Sequence, residues 1–192
     1  MDSTDPVAIR DLELLEKAAA GETAAFELLY DRYERRVYNY VRSFVRQPAL
    51  AEEVVIDTML AVWHGARSYT QASRVSTWIL GIARHKALDA VRKAGRQGAD
   101  LPLDQAPTLV DAAESPIAGI DRRINASLMR RAIAQLSIDH QEILRLAFYE
   151  DLPYAEIAAL LAIPDNTVKT RVHYAKQQLR GCLAKLGVES AS

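Results

Sequence analysis

The chain has 192 residues, 49% of them hydrophobic and 26% charged, with a formal net charge of -1; this is the profile of one or two small globular domains, not of a disordered or collagen-like chain. No stretch approaches the roughly 18 consecutive apolar residues of a membrane-spanning helix, and the first residues carry Asp2 and Asp5 without the apolar core of a secretory signal. The lone Cys182 excludes a disulfide framework and a cysteine-built metal site, so a cytoplasmic protein with no membrane insertion, no metal and no cofactor is expected.

Residues 1–60 are acidic, with 7 basic and 12 acidic side chains. From Phe26 the apolar residues fall at Leu29, Tyr30, Tyr33, Val37, Tyr40, Val41, Phe44 and Val45. These steps of three and four predict an amphipathic helix, which Pro48 ends. A second helical run is predicted over Leu50–Ala66, with Val54, Val55, Met59, Val62 and Trp63 apolar.

Residues 61–98 reverse the charge, with 7 basic side chains and 1 acidic. A third helix is predicted from Ser76 or Thr77, both good N-cap types, through Ile79, Ile82, Ala83, Ala87, Ala90 and Val91. Its polar face carries Arg84, His85, Lys86, Asp89, Arg92 and Lys93. Such a face suits single-stranded or opened nucleic acid, and the polar loop Tyr69–Ser76 beside it has room for an unstacked base. Trp78 falls inside the apolar stripe and fits the core better than a stacking platform. His64, His140 and His173 are scattered, which supports no metal site. No run alternates with the two-residue period of a strand, so residues 8–95 form an all-helical domain.

Residues 96–117 read as a flexible acidic linker. Gly98, Pro102, Pro107 and Pro116 interrupt any periodicity, and residues 99–121 hold 5 acids and no base; so long a structureless gap is improbable inside one compact domain. Helical pattern resumes near Ala118 and passes through Leu128, Ile133 and Leu136, predicting a second domain, 118–187, of three or four short helices. Residues 122–192 are again basic, with 10 bases and 7 acids. Charges more than roughly 8–10 Å apart are largely screened from one another, so two basic blocks separated by an acidic one predict two separate contacts with a phosphate backbone.

Within the second domain, Tyr154–Val172 has the layout of a helix-turn-helix. Small Ala158 sits where two helices would cross, and Ile157, Leu161, Ile163, Val168 and Val172 are spaced to pack between them. The outward face of the second helix then carries Asn166, Thr167, Lys169, Thr170, Arg171, His173, Tyr174 and Lys176, the residue types that read base edges and neutralise phosphates. An ordinary helical hairpin with a solvated basic face has the same pattern. Ala162 stands where the turn usually prefers glycine; a positive φ there costs on the order of 1 kcal/mol.

Taken together, Phe26–Arg96 resembles region 2, and Leu136–Leu186 region 4, of the bacterial sigma-70 family. The short two-domain form is similar to the extracytoplasmic-function (ECF) group of alternative sigma factors. The resemblance implies an all-α protein of two small helical domains that binds core RNA polymerase and directs it to promoter DNA. It places Ala51–Met59 on the β′ clamp helices, with Glu52, Glu53, Ile56 and Asp57 as the contacting residues and Ile56 standing where the family usually has glutamine. It places Arg74, Ser76, Thr77, Arg84, His85, Lys86, Asp89, Arg92 and Lys93 on the -10 element, with a base flipped into the Tyr69–Thr77 loop. The recognition helix would read the -35 element, with Tyr174 where the family often has arginine, while the domain rides on the β flap. The acidic linker would thread the polymerase channels where RNA runs, and an anti-sigma factor is implied as a partner.

Three other readings compete. A sigma-like protein that sequesters an anti-sigma factor would not need the cations at Arg84, Lys86, Arg92, Lys93, Lys169 and Arg171. A helix-turn-helix repressor or activator leaves the helices of 26–96 without a role. An enzyme lacks a nucleophile–base set, a glycine-rich phosphate loop or metal-ligand spacing, and no catalytic residue is assigned.

Overall fold

The computed structural model describes residues 6–96 and 119–187. Every regular element among them is helical, as the periodicity predicts. The chain divides into two compact units, Met1–Leu101 and Pro102–Ser192. The predicted acidic linker, 96–117, lies outside the described residues except for Arg96, which ends a helix.

The first unit is a four-helix cluster of α1 (Pro6–Ala19), α2 (Thr23–Val41), α3 (Pro48–Gly65) and α4 (Val75–Arg96), with a short 3-10 turn at Ala66–Ser68. Its core interleaves Leu29, Tyr33, Val37, Tyr40 and Val41 of α2 with Val54, Val55, Met59 and Val62 of α3 and Ile79, Leu80, Ala83 and Ala87 of α4. Burying each of the larger of these side chains is worth roughly 1.5–3 kcal/mol. The alanines let α4 approach closely, because a small residue at a crossing brings two backbones together. Two boundaries differ from the sequence expectation. Helix α2 stops at Val41, not Val45: Ser43 Oγ donates to the Tyr40 carbonyl at 2.6 Å, and Arg42 Nη1 donates to Val45 O at 2.9 Å. Pro48 opens α3 at its first position, where a missing N–H costs nothing.

Helix α1 has no counterpart among the predicted runs. Asp11, Leu15 and Ala18 face inward with helical spacing. The Asp11 carboxylate accepts the Tyr33 hydroxyl at 2.5 Å and also pairs with Arg32, tying α1 to α2. Gly21, at φ 99, makes the turn between them, a conformation open to glycine without a Cβ penalty.

The second unit contains α5 (Gly119–Ala134), α6 (Ile138–Leu144), α7 (Tyr154–Leu161) and α8 (Asp165–Lys185). Two of these are long, not short as predicted. The Ser137 side chain caps α6 by accepting from His140 N at 3.3 Å. Helix α6 runs into a π-helical turn, Arg145–Tyr149. Beneath that turn the Arg145 guanidinium lies 3.6 Å from the Glu150 carboxylate and stacks on the Tyr149 ring at 5.0 Å. Ala132, Ile143, Leu146, Ile157, Val168, Val172 and Ala175 form the core.

Candidate nucleic-acid interface

Helices α7 and α8 form the helix-turn-helix. Ile157 and Ala158 of α7 are buried against Val168 and Val172 of α8, while Leu161 and Ile163 are half-buried at the corner. The turn passes through Ala162, which is left-handed at φ 55 and ψ 46. The Ile163 N–H returns to the Ala158 carbonyl at 3.0 Å, so the backbone closes as glycine-type helix ends do.

The three-and-four spacing of α8 sorts the predicted contact residues into a centre and two margins. Asn166, Lys169, Thr170, His173 and Tyr174 are exposed opposite the buried Val168, Val172 and Ala175. Thr167 and Arg171 are half-buried on the side toward α6. There the Arg171 guanidinium lies 3.7 Å from Asp139, and His140 Nδ1 lies 3.0 Å from Gln178 Oε1. On the other margin, the Lys176 ammonium lies 4.5 Å from the centre of the Phe148 ring. Lys169, exposed in the second turn of α8, lies on the same side of the helix as Lys176, seven positions on. Arg171 is held at the edge of the face by a carboxylate.

On α4, His85, Asp89, Arg92 and Lys93 are exposed, and Arg84 and Lys86 flank them half-buried. The face is not uniformly cationic. Asp89 sits at its centre, 3.2 Å from His85 Nε2 and 3.0 Å from Arg92 Nη1. Asp89 thus ties His85 and Arg92 together and places a negative charge among the cations of this face. Thr77, expected both as a cap and as a DNA contact, is only 4% exposed. Helix α4 begins at Val75, which makes Thr77 its third residue and turns it inward, out of reach of a ligand. Ser76 is half-buried and Arg74 exposed at the loop edge. Trp78 is half-buried, its ring 5.0 Å from that of Tyr69.

On α3, Glu52, Glu53, Ile56 and Asp57 all reach solvent. One residue missing from the sequence reading joins them: Leu60, 49% exposed beside Ile56 at 52%. It lies four residues after Ile56 and out of phase with the buried Val55, Met59 and Val62, a signal legible in the spacing. The face is thus an apolar pair bordered by carboxylates.

The family described as Sigma-70 region 2 matches residues 29–97, and that described as Sigma-70, region 4 matches residues 127–179. The ECF RNA polymerase sigma factor SigL of Mycobacterium tuberculosis is 32% identical over 173 residues, spanning 89% of this chain and 96% of its own. The chain belongs to the sigma-70 family, in its ECF group. The ECF sigma factor SigK of a Mycobacterium species is 33% identical over 190 residues, covering 93% of each chain. Two solved structures share the fold. CnrH in complex with the cytosolic domain of CnrY has a TM-score of 0.65 at 21% identity, covering 92% of this chain and 98% of that one. The sigma factor RpoE of Bartonella quintana, in complex with the anti-sigma factor NepR, has a TM-score of 0.65 at 22% identity over 83% and 96%.

As a member of that group, this sigma factor directs transcription initiation and is a regulatory protein. The region 2 match takes in α3, α4 and α2 from Leu29 onward but leaves out α1; the region 4 match takes in α6, α7 and most of α8. No helix among the described residues of the sigma factor is long and apolar enough to cross a membrane.

Proposed function

We propose that the sigma factor docks on the β′ clamp helices of core RNA polymerase through Glu53, Ile56, Asp57 and Leu60 of α3, with Glu52 at the margin. Ile56 and Leu60 supply the desolvated centre of the contact and the carboxylates supply charge complementarity at its rim, the usual division in a protein interface. Arg84, His85, Lys86, Arg92 and Lys93 of α4 hold the -10 strand by its phosphates, with Arg74 and Ser76 at the mouth of the loop that takes one base out of the stack. Base extrusion costs a few kcal/mol, and binding free energy from these contacts offsets it; no nucleotide is hydrolysed. Asn166, Lys169, Thr170, His173 and Tyr174 enter the major groove of the -35 element, with Arg171 and Lys176 reaching phosphates on either side and Thr167 at the edge.

The domains that carry these roles are 8–95 and 118–187, with the β flap holding the second and the acidic linker of 96–117 following the RNA path. An anti-sigma factor covers the docking and DNA faces in the inactive state, and the protein works in the cytoplasm with polymerase. The observation that carries this reading is the exposure of cations and hydrogen-bonding groups on α4 and α8 within the stretches that match regions 2 and 4. A protein that only sequestered an anti-sigma factor would have no use for those faces. In vitro transcription with purified core polymerase and a promoter library tests the reading. Sigma-dependent starts downstream of one shared two-part motif are expected, and no sigma-dependent start at all would refute it.

A further inference from the structure

The loop that joins the 3-10 turn to α4 is braced from two sides, and one brace comes from outside the region 2 match. That match begins at residue 29, after the whole of α1. Helix α1 is itself anchored: Leu15 and Ala18 are buried, and Asp11 accepts the Tyr33 hydroxyl at 2.5 Å. Its last residue, Ala19, presents a carbonyl that accepts from Arg67 Nε at 2.8 Å. Carbonyls in the last turn of a helix have no partner within it, and the negative end of the helix dipole favours a cation there. Gln71, left-handed at φ 56, brings its amide to 3.5 Å from Glu16 Oε1, again on α1.

The second brace is internal. The Tyr69 hydroxyl donates to the Ser73 carbonyl and closes the loop on itself. The Tyr69 ring packs on Trp78. Trp78 in turn lies so close over Gly65 that a Cβ there would sit 3.2 Å from Cζ2. Loop, α3 and α4 are therefore joined through one aromatic pair, while Arg67 ties the segment entering the loop to α1.

We infer that Arg67 and Tyr69 are positioning residues for base capture, and that α1 belongs to the specificity apparatus as the strut against which the loop is held. The inference rests on the reading above, in which this loop takes up the unpaired -10 base. A loop that had to be ordered on binding would lose that ordering cost from its DNA affinity, whereas a loop already shaped keeps it.

The test uses the full chain assembled with core polymerase and fork-junction DNA whose -10 non-template strand is unpaired. Affinity is compared for the intact strand and for one abasic at the captured position. Tyr69→Phe removes only the hydroxyl. Arg67→Ala removes the brace, while Arg67→Gln keeps an N–H donor at about the same reach without the charge. Tyr69→Phe and Arg67→Ala are each expected to weaken intact-strand binding about fivefold, the net worth of one hydrogen bond, and to narrow the gap to the abasic strand. Affinity for core polymerase and for -35 duplex is unchanged, and Arg67→Gln binds as the parent does. The inference is overturned if Tyr69→Phe and Arg67→Ala bind like the parent, or if Arg67→Gln falls as far as Arg67→Ala, since Arg67 then acts as a charge on DNA. If the parent holoenzyme itself does not distinguish intact from abasic strand, base capture by this loop fails and the inference falls with it. A discriminating parent with unaffected variants sinks the inference alone.

Discussion

Replacing Ala162 with glycine relieves a cost that the turn of the helix-turn-helix carries. At φ 55 and ψ 46 the alanine methyl crowds its own carbonyl, and an L-residue in this conformation pays roughly 1–2 kcal/mol. Glycine escapes that but frees the unfolded chain, which returns roughly 0.4–1 kcal/mol. The net is a stabilisation of about 0.5–1 kcal/mol. For a unit of this size, each kcal/mol moves the melting midpoint by roughly 4–8 °C, so Ala162→Gly raises the transition of the second unit by about 2–8 °C. Calorimetry of the full chain reads it. Ala159, exposed within α7, supplies the control: Ala159→Gly sits in ordinary helical backbone and lowers stability by about 1 kcal/mol. Affinity for -35 duplex stays as it was, because the bond from Ile163 N–H to the Ala158 carbonyl persists and keeps α8 at its angle to α7. If Ala162→Gly lowers the midpoint as Ala159→Gly does, the left-handed turn is not where the chain bears its strain.

Lys169→Ala is expected to weaken -35 duplex binding and to reduce the slope of log affinity against log salt by about 0.9, the share of one phosphate; Arg171→Ala changes the slope less, because Asp139 already holds that guanidinium at 3.7 Å. Titration at several salt concentrations separates the two. The double variant Glu53→Ala with Asp57→Ala reduces affinity for core polymerase by roughly tenfold, as does Leu60→Ala alone, a typical loss for contacts near an interface centre; normal holoenzyme assembly by both on a sizing column or in a titration contradicts the docking assignment. Burial, the hydrogen bond to Asp11 and the Asp11 charge raise the Tyr33 phenol well above its ordinary 10.0. The folded state thus holds this proton more tightly than the unfolded chain, and its stabilisation is complete below pH 10 and is lost as pH rises above it, by about 1.4 kcal/mol per pH unit. Denaturant unfolding across that range should show a shallower alkaline loss for Tyr33→Phe than for the parent, and equal slopes would count against the linkage.

Much of the architecture follows from spacing. The apolar steps of α2, α3 and α4 and the Ile157–Val172 pattern specify helices with one buried stripe, because side chains three and four apart share a face whatever the neighbours are. The positive φ at Ala162 was equally readable, since the geometry of the turn demands it of any residue there. Block-wise charge located both basic faces before any coordinate did. Spacing alone does not say which sides of a helix other elements cover. Thr77 and Ser76 are both helix-cap types in sequence, but packing buries the first and leaves the second half-buried. Leu60, by contrast, stands out of phase with the buried Val55, Met59 and Val62, so its exposure was open to the spacing.

Local pattern on this chain therefore decides where helices form, which stripe of each is apolar, and where positive charge accumulates, because these depend on residues a few positions apart. Tertiary packing decides which polar groups remain available. Asp139 comes to Arg171, Asp11 to Tyr33 and the Ala19 carbonyl to Arg67 across 32, 22 and 48 positions of chain, and no periodicity encodes a meeting at that distance.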